Sequence, residues 1–434
     1  MKKGYHLTPL LLIIVVAFLL TGGSDFRVDT SSLSTVPTTT TTVDEEALAL
    51  KEAYKKNPDR YVHFSRSTEP RDCYVLVTDI MEYDTQYPDC NGTWFRDQLT
   101  GEDLCIYNAY LYAMENCFIY FDLYVQDSDK DFYYIREALC MDSPFLEQNK
   151  NTHGENIYKK PNNYIGESVG FRIEQFTSSR WEKKMEALQK CRQIIADIPA
   201  ECSTLPEKME YVYKYVCDNV EYVDYDNMDD QDYLYDAVCK GETVCDGYSN
   251  MLNLLFNLVG AECCEAMGRD IKDLSQATPE ELENATGHTW VVAKIDDRFY
   301  NFDATFEDTN TDESLGDGWL YFGFSDERVS VKYLELEDLR PKCTDTSRDF
   351  PFADLVVQNI QGYKNIQKIA KLTDNRTNNG QYKTIIAVKT IVPDNELETF
   401  LDRYVLYVKK ISYVNTTTIY FENSMVIIMN TKPW

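Results

Sequence analysis

The order of apolar and polar positions divides the chain into a non-globular leader and three folded stretches. Leu10 to Leu20 is an unbroken apolar run of 11 residues, preceded by Lys2 and Lys3 and followed by Thr21-Gly22-Gly23-Ser24. A basic start, a short apolar run and small residues at its end predict an export signal over 1–23. The run is shorter than the roughly 20 residues a membrane-spanning helix needs. Extending it from Leu7 to Gly23 brings it closer, which leaves an uncleaved N-terminal membrane tether open. Residues 24–45 carry Ser31-Ser32, Ser34-Thr35 and a threonine run from Thr38 to Thr42. So few apolar side chains cannot offset the entropy of ordering, and a flexible stalk is expected there.

Residues 46–205 form a tyrosine-rich region of mixed pattern. Asp103 to Cys117 and Trp181 to Ile198 have helical spacing, while Phe118 to Val125 and Phe132 to Ile135 read as strands. Asp127, Asp129 and Asp131 alternate like the start of a calcium loop, but Phe132 stands where the loop requires glycine, so an acidic turn is expected. A helix over Leu205 to Val220, striped by Met209, Val212, Tyr213 and Val216, opens the next stretch, 206–335. Residues 345–434 read as a small α+β unit without a catalytic signature. The pattern there predicts a helix over Asp354 to Lys371, a strand over Lys383 to Val392 and a short helix over Asn395 to Leu401. Two strands, Tyr404 to Val414 and Thr417 to Met429, follow.

Charge narrows the partners. The formal net charge of −29 argues against nucleic acid, whose phosphates must be neutralised by an excess of Lys and Arg. It has the wrong sign for anionic lipid, and fits the solubility of an exported protein at the cell surface or outside the cell. Thirteen cysteines suit that compartment. Six disulfides and one free thiol is one arrangement the count allows, and buried free thiols are another. No Cys/His spacing fits a zinc site.

The candidate chemistry lies in 206–335. In Gly241-Glu242-Thr243-Val244-Cys245-Asp246-Gly247-Tyr248 the pattern turns helical, with Tyr248, Met251, Leu252, Leu255 and Leu258 on one face and Gly260 as a stop. Cys245 therefore falls in the first turn of a buried helix, where unpaired N–H groups and the helix dipole favour a thiolate. Only four histidines are present, His6, His63, His153 and His288. His288 opens a strand running to Ile295, and Asp296-Asp297 reads as a two-residue hairpin turn into a second strand, Arg298 to Phe306.

That turn sets the register. Ile295 then faces Arg298, Val292 faces Asn301, Trp290 faces Asp303 and His288 faces Thr305. Opposed residues share a face, so His288, Trp290 and Asp303 point the same way, with Asp303 diagonal to His288. By default, one cysteine among thirteen is half of a disulfide and a strand histidine is structural. The ordered combination of helix-start thiol, strand histidine and facing carboxylate overturns both defaults. Cys245 is the candidate nucleophile, His288 the general base and Asp303 the group that fixes the imidazole tautomer. Cys239 precedes Gly241 without a following helix and reads as structural.

These residues resemble the transglutaminase-like superfamily. Thr243-Val244-Cys245-Asp246-Gly247-Tyr248-Ser249 is similar to its nucleophile motif, Gly287-His288-Thr289-Trp290 to its Gly-His-Ala-Trp motif, and Tyr300-Asn301-Phe302-Asp303-Ala304-Thr305-Phe306 to its Tyr-x-x-Asp-x-Thr-Trp motif. Thr289 and Phe306 depart from the pattern without removing a reactive group. The resemblance covers roughly Pro206 to Asp326. It implies an α+β, papain-like core with the nucleophile helix on an antiparallel sheet, and the apolar pattern adds α+β regions flanking it on both sides. It also implies a thioester intermediate, protein or peptide substrates acting through glutamine side chains or peptide bonds, and no cofactor. An amine acceptor would give cross-linking, and water would give deamidation or cysteine-peptidase activity. A wall-binding or adhesion protein with a retired site is the alternative from another class. The sequence carries no signal for oligomeric state.

Overall fold

The structure, a computed structural model, describes residues 41–433 apart from 67–71, 127–129, 131, 148–155, 161–166, 173–175, 226–230, 270–277, 279–284, 286, 311–318, 330–332, 335 and 421–423. The expected export signal, the stalk up to residue 40 and the acidic turn at Asp127 to Asp131 lie outside the described residues. The last part of the expected stalk is instead the start of a helix, α1 (Thr41–Lys56). The reason is local: the threonine run gives way to Glu45-Glu46-Ala47-Leu48-Ala49-Leu50, all strong helix formers or close to it. No helix among the described residues is long and apolar enough to cross a membrane.

The first sheet is antiparallel. Its strands β1 (Tyr61–Ser65), β2 (Cys73–Leu76), β3 (Tyr120–Val125), β4 (Asn156–Lys160) and β5 (Glu167–Arg172) lie in the order β2-β1-β3-β5-β4. The helices of this region are α2 (Val77–Met81), α3 (Gly101–Glu115), α4 (Tyr133–Asp142) and α5 (Ser178–Ala196). Here α4 replaces the strand expected at Phe132 to Ile135. Ile135, Ala138 and Leu139 recur at helical spacing and are all fully buried, so tertiary packing selects the helix over the β propensity of Phe132-Tyr133-Tyr134.

The central stretch begins at α6 (Leu205–Asn219). A reciprocal capping box starts it, with Glu207 N donating to Thr204 Oγ1 and Thr204 N donating to Glu207 Oε2. Next come β6 (Glu221–Tyr222), α7 (Tyr233–Tyr235), a π-helical turn over Asp236–Lys240, and β7 (Glu242–Thr243), which pairs in parallel with β6. The left-handed Gly241 (φ +78°) links the π turn to β7. Helix α8 (Cys245–Leu258) then packs on a second sheet, whose strands are β8 (Cys263–Arg269), β9 (Gly287–Ile295), β10 (Arg298–Phe302), β11 (Phe322–Phe324) and β12 (Tyr333–Leu334). Their order is β11-β10-β9-β8-β12, antiparallel throughout. This α+β arrangement, a buried helix on an antiparallel sheet, is the expected one. One hydrophobic core runs from Val62 to Cys343 and joins both sheets.

The hairpin register holds from Arg298↔Ile295 to Phe302↔Val291. The second strand does not continue to Phe306. The chain turns at Asp303 into α9 (Ala304–Asn310), so the expected His288–Thr305 pair does not form. Asp303 caps that helix: Phe306 N donates to its Oδ1 at 2.9 Å, and Glu307 N to its backbone oxygen at 3.0 Å.

The C-terminal stretch has its own sheet, β13 (Leu355–Val357), β14 (Lys383–Val388), β15 (Ile411–Tyr420) and β16 (Met425–Pro433), in the order β13-β14-β16-β15. Helices α10 (Tyr363–Asn378) and α11 (Asp394–Tyr404) cover one face through Ile366, Ile369 and Phe400. Ile385, Ala387, Val426 and Ile428 pack the other face against Leu320 and Phe350. Three expectations shift here. Asp354 to Lys371 opens with a strand, and its helix begins only after Gly362. Tyr404 ends a helix rather than starting a strand, and β15 runs through Asn415 to Tyr420, past the expected break before Thr417.

All thirteen cysteines are free thiols, and seven of them are buried. The six-disulfide arrangement is therefore not the one observed. Cys105, Cys140, Cys191 and Cys264 sit inside the apolar core, where a cysteine packs as a small hydrophobic side chain.

Candidate active site

Cys245 is the first residue of α8 and is half-buried. The residues after it explain its position. A Cβ on Gly247 would fall 2.0 Å from Thr243 Oγ1 and 2.6 Å from the Tyr233 carbonyl, so only glycine lets the helix start pack this closely against α7 and β7. The Tyr248 hydroxyl lies 2.9 Å from Val220 O and 2.6 Å from Asp308 Oδ2, tying α8 to the end of α6 and to α9. Motif glycine and tyrosine thus hold the helix end that carries the thiol.

His288 and Asp303 meet although the ladder stops one residue short of Asp303. His288 Nε2 lies 2.6 Å from Asp303 Oδ2, a short charge-assisted hydrogen bond in which the ring N–H donates. Asp303 is held in turn. Its Oδ1 accepts from Phe306 N, its own N–H donates to Tyr321 O at 3.0 Å, and its backbone oxygen accepts from the Tyr213 hydroxyl at 3.1 Å. The carboxylate bonded to the imidazole is therefore also the cap of α9.

With Nε2 engaged by Asp303, Nδ1 is the ring nitrogen left to serve the Cys245 thiol, which lies close enough to His288 to raise its pKa. Burial of the imidazole pulls its pKa down. The Asp303 charge and hydrogen bond, and then those of Cys245, more than reverse this and raise it from 6.5 to about 10. The ring is clamped between aromatics. Phe306 stacks on it at 4.1 Å between centroids and 10° between planes, and Trp290 lies at 5.9 Å and 20°. Trp290 is fixed by its Nε1 donating to Asn301 Oδ1 at 2.8 Å.

Several neighbours carry no sequence signal of their own. Tyr222, 39% exposed, and the buried Tyr233 lie close enough to Cys245 for its charge to bear on their phenols. Burial raises the pKa of each; Cys245 is the next cause for Tyr222, and for Tyr233 it follows Asp246 and Glu147. Beneath the helix start lies Glu265 of β8, fully buried. It accepts from Asn250 Nδ2 at 2.8 Å and touches Ser249 Oγ at 3.1 Å, and Ser249 also contacts Thr289 Oγ1 and Asp246 O. Burial pushes the Glu265 pKa to about 8, with the Asn250 and Ser249 hydrogen bonds opposing and Asp246 adding to the rise. Ser249 has one hydroxyl hydrogen for these three oxygens, so a protonated Glu265 supplies a donor the cluster otherwise lacks. This neutral Glu265 ties α8 to β8 and, through Ser249, to β9. No cluster of His, Cys, Asp and Glu suited to a metal ion occurs among the described residues.

Comparison with known proteins finds a match to part of the chain. Residues 192–304 match the family model described as the transglutaminase-like superfamily, a span containing Cys245, His288 and Asp303. The chain thus carries a transglutaminase-like domain over that stretch. Among solved structures, it is similar to one provisionally described as a cysteine protease from Cytophaga hutchinsonii (12% identity, 35% of this chain and 62% of that one, TM-score 0.21). It is also similar to one described as a TGase (15%, 37% and 48%, TM-score 0.23). A third is provisionally described as a protease from Parabacteroides distasonis (10%, 66% and 58%, TM-score 0.23). The matches span less than two thirds of each of those chains. No curated protein matches the chain.

Proposed function

We propose that this protein is a thiol-dependent acyl-transfer enzyme acting on protein or peptide substrates, with Cys245 as nucleophile, His288 as proton carrier and Asp303 as the group that orients and charges the imidazole. The observation that carries this reading is the 2.6 Å His288–Asp303 bond, beside a thiol at the start of α8. In the proposed reaction the Cys245 sulfur attacks a carbonyl carbon while His288 holds the thiol proton. Collapse of the tetrahedral adduct forms the thioester, and His288 delivers that proton to the departing amine or ammonia. A second nucleophile, amine or water, loses its proton to His288 as it displaces the sulfur. We also propose that the enzyme acts outside the cell or at its surface, a reading supported by the basic, apolar and small-residue pattern of residues 1–23.

Alkylation kinetics test the thiol. Peptide mapping after limited iodoacetamide treatment at neutral pH should find Cys245 modified well ahead of the other twelve cysteines; reaction no faster than a model thiol would sink the enzyme reading. Mass spectrometry of a peptide mixture containing glutamine and lysine then separates the acceptors. Loss of ammonia marks cross-linking, a gain of one mass unit marks deamidation, and fragments mark peptidase action.

A further inference from the structure

Three elements meet on one hydroxyl beneath the helix start. Ser249 lies one turn after Cys245 on α8. Its Oγ is 3.0 Å from Asp246 O, 3.1 Å from Glu265 Oε2 of β8 and 3.0 Å from Thr289 Oγ1 of β9. Ser249, Glu265 and Thr289 are all buried. The sheet register explains the meeting. Glu265 pairs with Val291 and Met267 with Thr289, so Glu265 and Thr289 share one face of the sheet, the face on which Ser249 of α8 lies. His288 is the residue before Thr289 on β9 and points to the other face.

Only one assignment of hydrogens turns all three contacts into hydrogen bonds. Asp246 O can only accept, so it takes the single Ser249 hydrogen. Ser249 Oγ then accepts from the Thr289 hydroxyl and from Glu265 as a neutral acid. Glu265 Oε1 meanwhile accepts from Asn250 Nδ2 at 2.8 Å and from Asn253 Nδ2 at 3.4 Å. The hydroxyl and carboxyl hydrogens are thus all spent, and Ser249 Oγ makes its full set of one donor and two acceptor bonds.

Thr289 is where the strand departs from the Gly-His-Ala-Trp pattern it resembles, and an alanine there could make no such bond. The departure adds a tie between the helix of Cys245 and the strand of His288. Glu265 adds the matching tie to β8. A buried polar network with every bond made favours one packing, because another spacing strands a donor or an acceptor away from water. Sliding α8 against β9 would carry Cys245 away from His288, and a misplacement of about 1 Å can cost about 10²-fold in rate.

We propose that Thr289, Ser249 and Glu265 are positioning residues, a buried polar bridge that sets the spacing of Cys245 from His288. The proposal rests on the reading of Cys245 as the nucleophile. Being buried, the three act through the two reacting side chains and not on a substrate. Thr289→Val keeps the shape of the side chain and removes its hydroxyl. It should slow iodoacetamide alkylation of Cys245 by about tenfold or more. It should also lower the NMR midpoint of His288 by about half a pH unit or more, because Cys245 is among the groups that raise it. Ser249→Ala should do the same, and the double variant should add little to either effect, as residues of one network do. Thr289→Ser and Glu265→Gln return a donor to Ser249 Oγ and should react within about twofold of the unaltered protein. Thr204→Ala, which weakens α6 instead, should change neither readout and so separates spacing from a general loss of stability. An alkylation rate or a His288 midpoint left unchanged by Thr289→Val, or no recovery in Thr289→Ser, would overturn the bridge. If Cys245 of the unaltered protein reacts no faster than a model thiol, the acyl-transfer reading falls by itself, and the His288 midpoint then decides the bridge.

Discussion

Replacing Asp303 by Asn separates the charge of this residue from its helix cap. The amide oxygen can still accept from Phe306 N, so α9 keeps its start. The negative charge that holds His288 as imidazolium disappears. The shift of His288 from 6.5 to about 10 corresponds to roughly 5 kcal/mol of preference for the protonated ring, at about 1.36 kcal/mol per pH unit. Asp303 precedes Cys245 among the groups that raise it, so more than half of that preference should go. The asparagine NH₂ can also donate to Nε2, forcing the ring proton onto Nδ1 and spoiling the tautomer that accepts from the thiol. With only four histidines in the chain, imidazole nitrogen NMR resolves the outcome. In the unaltered protein His288 should deprotonate near pH 10, and in Asp303→Asn at least two pH units lower. His63, held by Asp72 and Asp122, should titrate unchanged as the internal reference. The stability profile follows with a definite sign. A raised folded-state pKa means the native state holds the extra proton, so its contribution is complete below pH 6.5 and is lost as pH rises to about 10. Asp303→Asn should flatten that decline. An unchanged NMR midpoint would refute the claim that Asp303 sustains the imidazolium.

Four further outcomes are expected. Glu265→Gln should gain stability relative to the unaltered protein as pH rises from 4.5 to about 8, by up to roughly 5 kcal/mol, because over that window the carboxyl ionises in the unfolded chain while the buried one stays protonated, and the amide does neither; urea midpoints at pH 5 and pH 8.5 test this, and an equal offset at both would contradict it. Lys184 is buried between Glu147 and Asp232, with Asp232 at 2.8 Å, so Lys184→Met should leave two buried carboxylates without this cation and cost about 3–5 kcal/mol, read as a lower thermal midpoint. Gly247→Ala drives a methyl into Thr243 Oγ1 and the Tyr233 carbonyl, so it should slow alkylation of Cys245 as well as lower the midpoint; an unaltered alkylation rate would show that the helix start is not fixed by this contact. Thr204→Ala removes half of the α6 capping box and should cost about 1 kcal/mol by chemical denaturation, with Cys245 reactivity unaffected.

Local sequence rules carried the parts of this protein that depend on neighbours along the chain. The periodic run after Cys245 and the stop at Gly260 give α8 to within a residue or two, and the Asp296-Asp297 turn gives the register down to Phe302↔Val291. The two-residue turn fixes the pleat's faces and brings Asp303, one residue past the last pair, to the side that His288 occupies. What depended on distant packing was not legible. Phe132 to Ile135 has strand propensity and becomes helix because Ile135, Ala138 and Leu139 find the shared core. The strand expected through Phe306 ends at Asp303 because a capped helix lets Phe306 fold back over the imidazole, a contact between residues 18 apart in sequence. Cysteine count suggested disulfides, yet only the fold decides whether two sulfurs meet, and in this fold all thirteen remain thiols. Glu265 belongs to the same category: it joins α8 to β8, and its burial and raised pKa arise only once those segments are assembled.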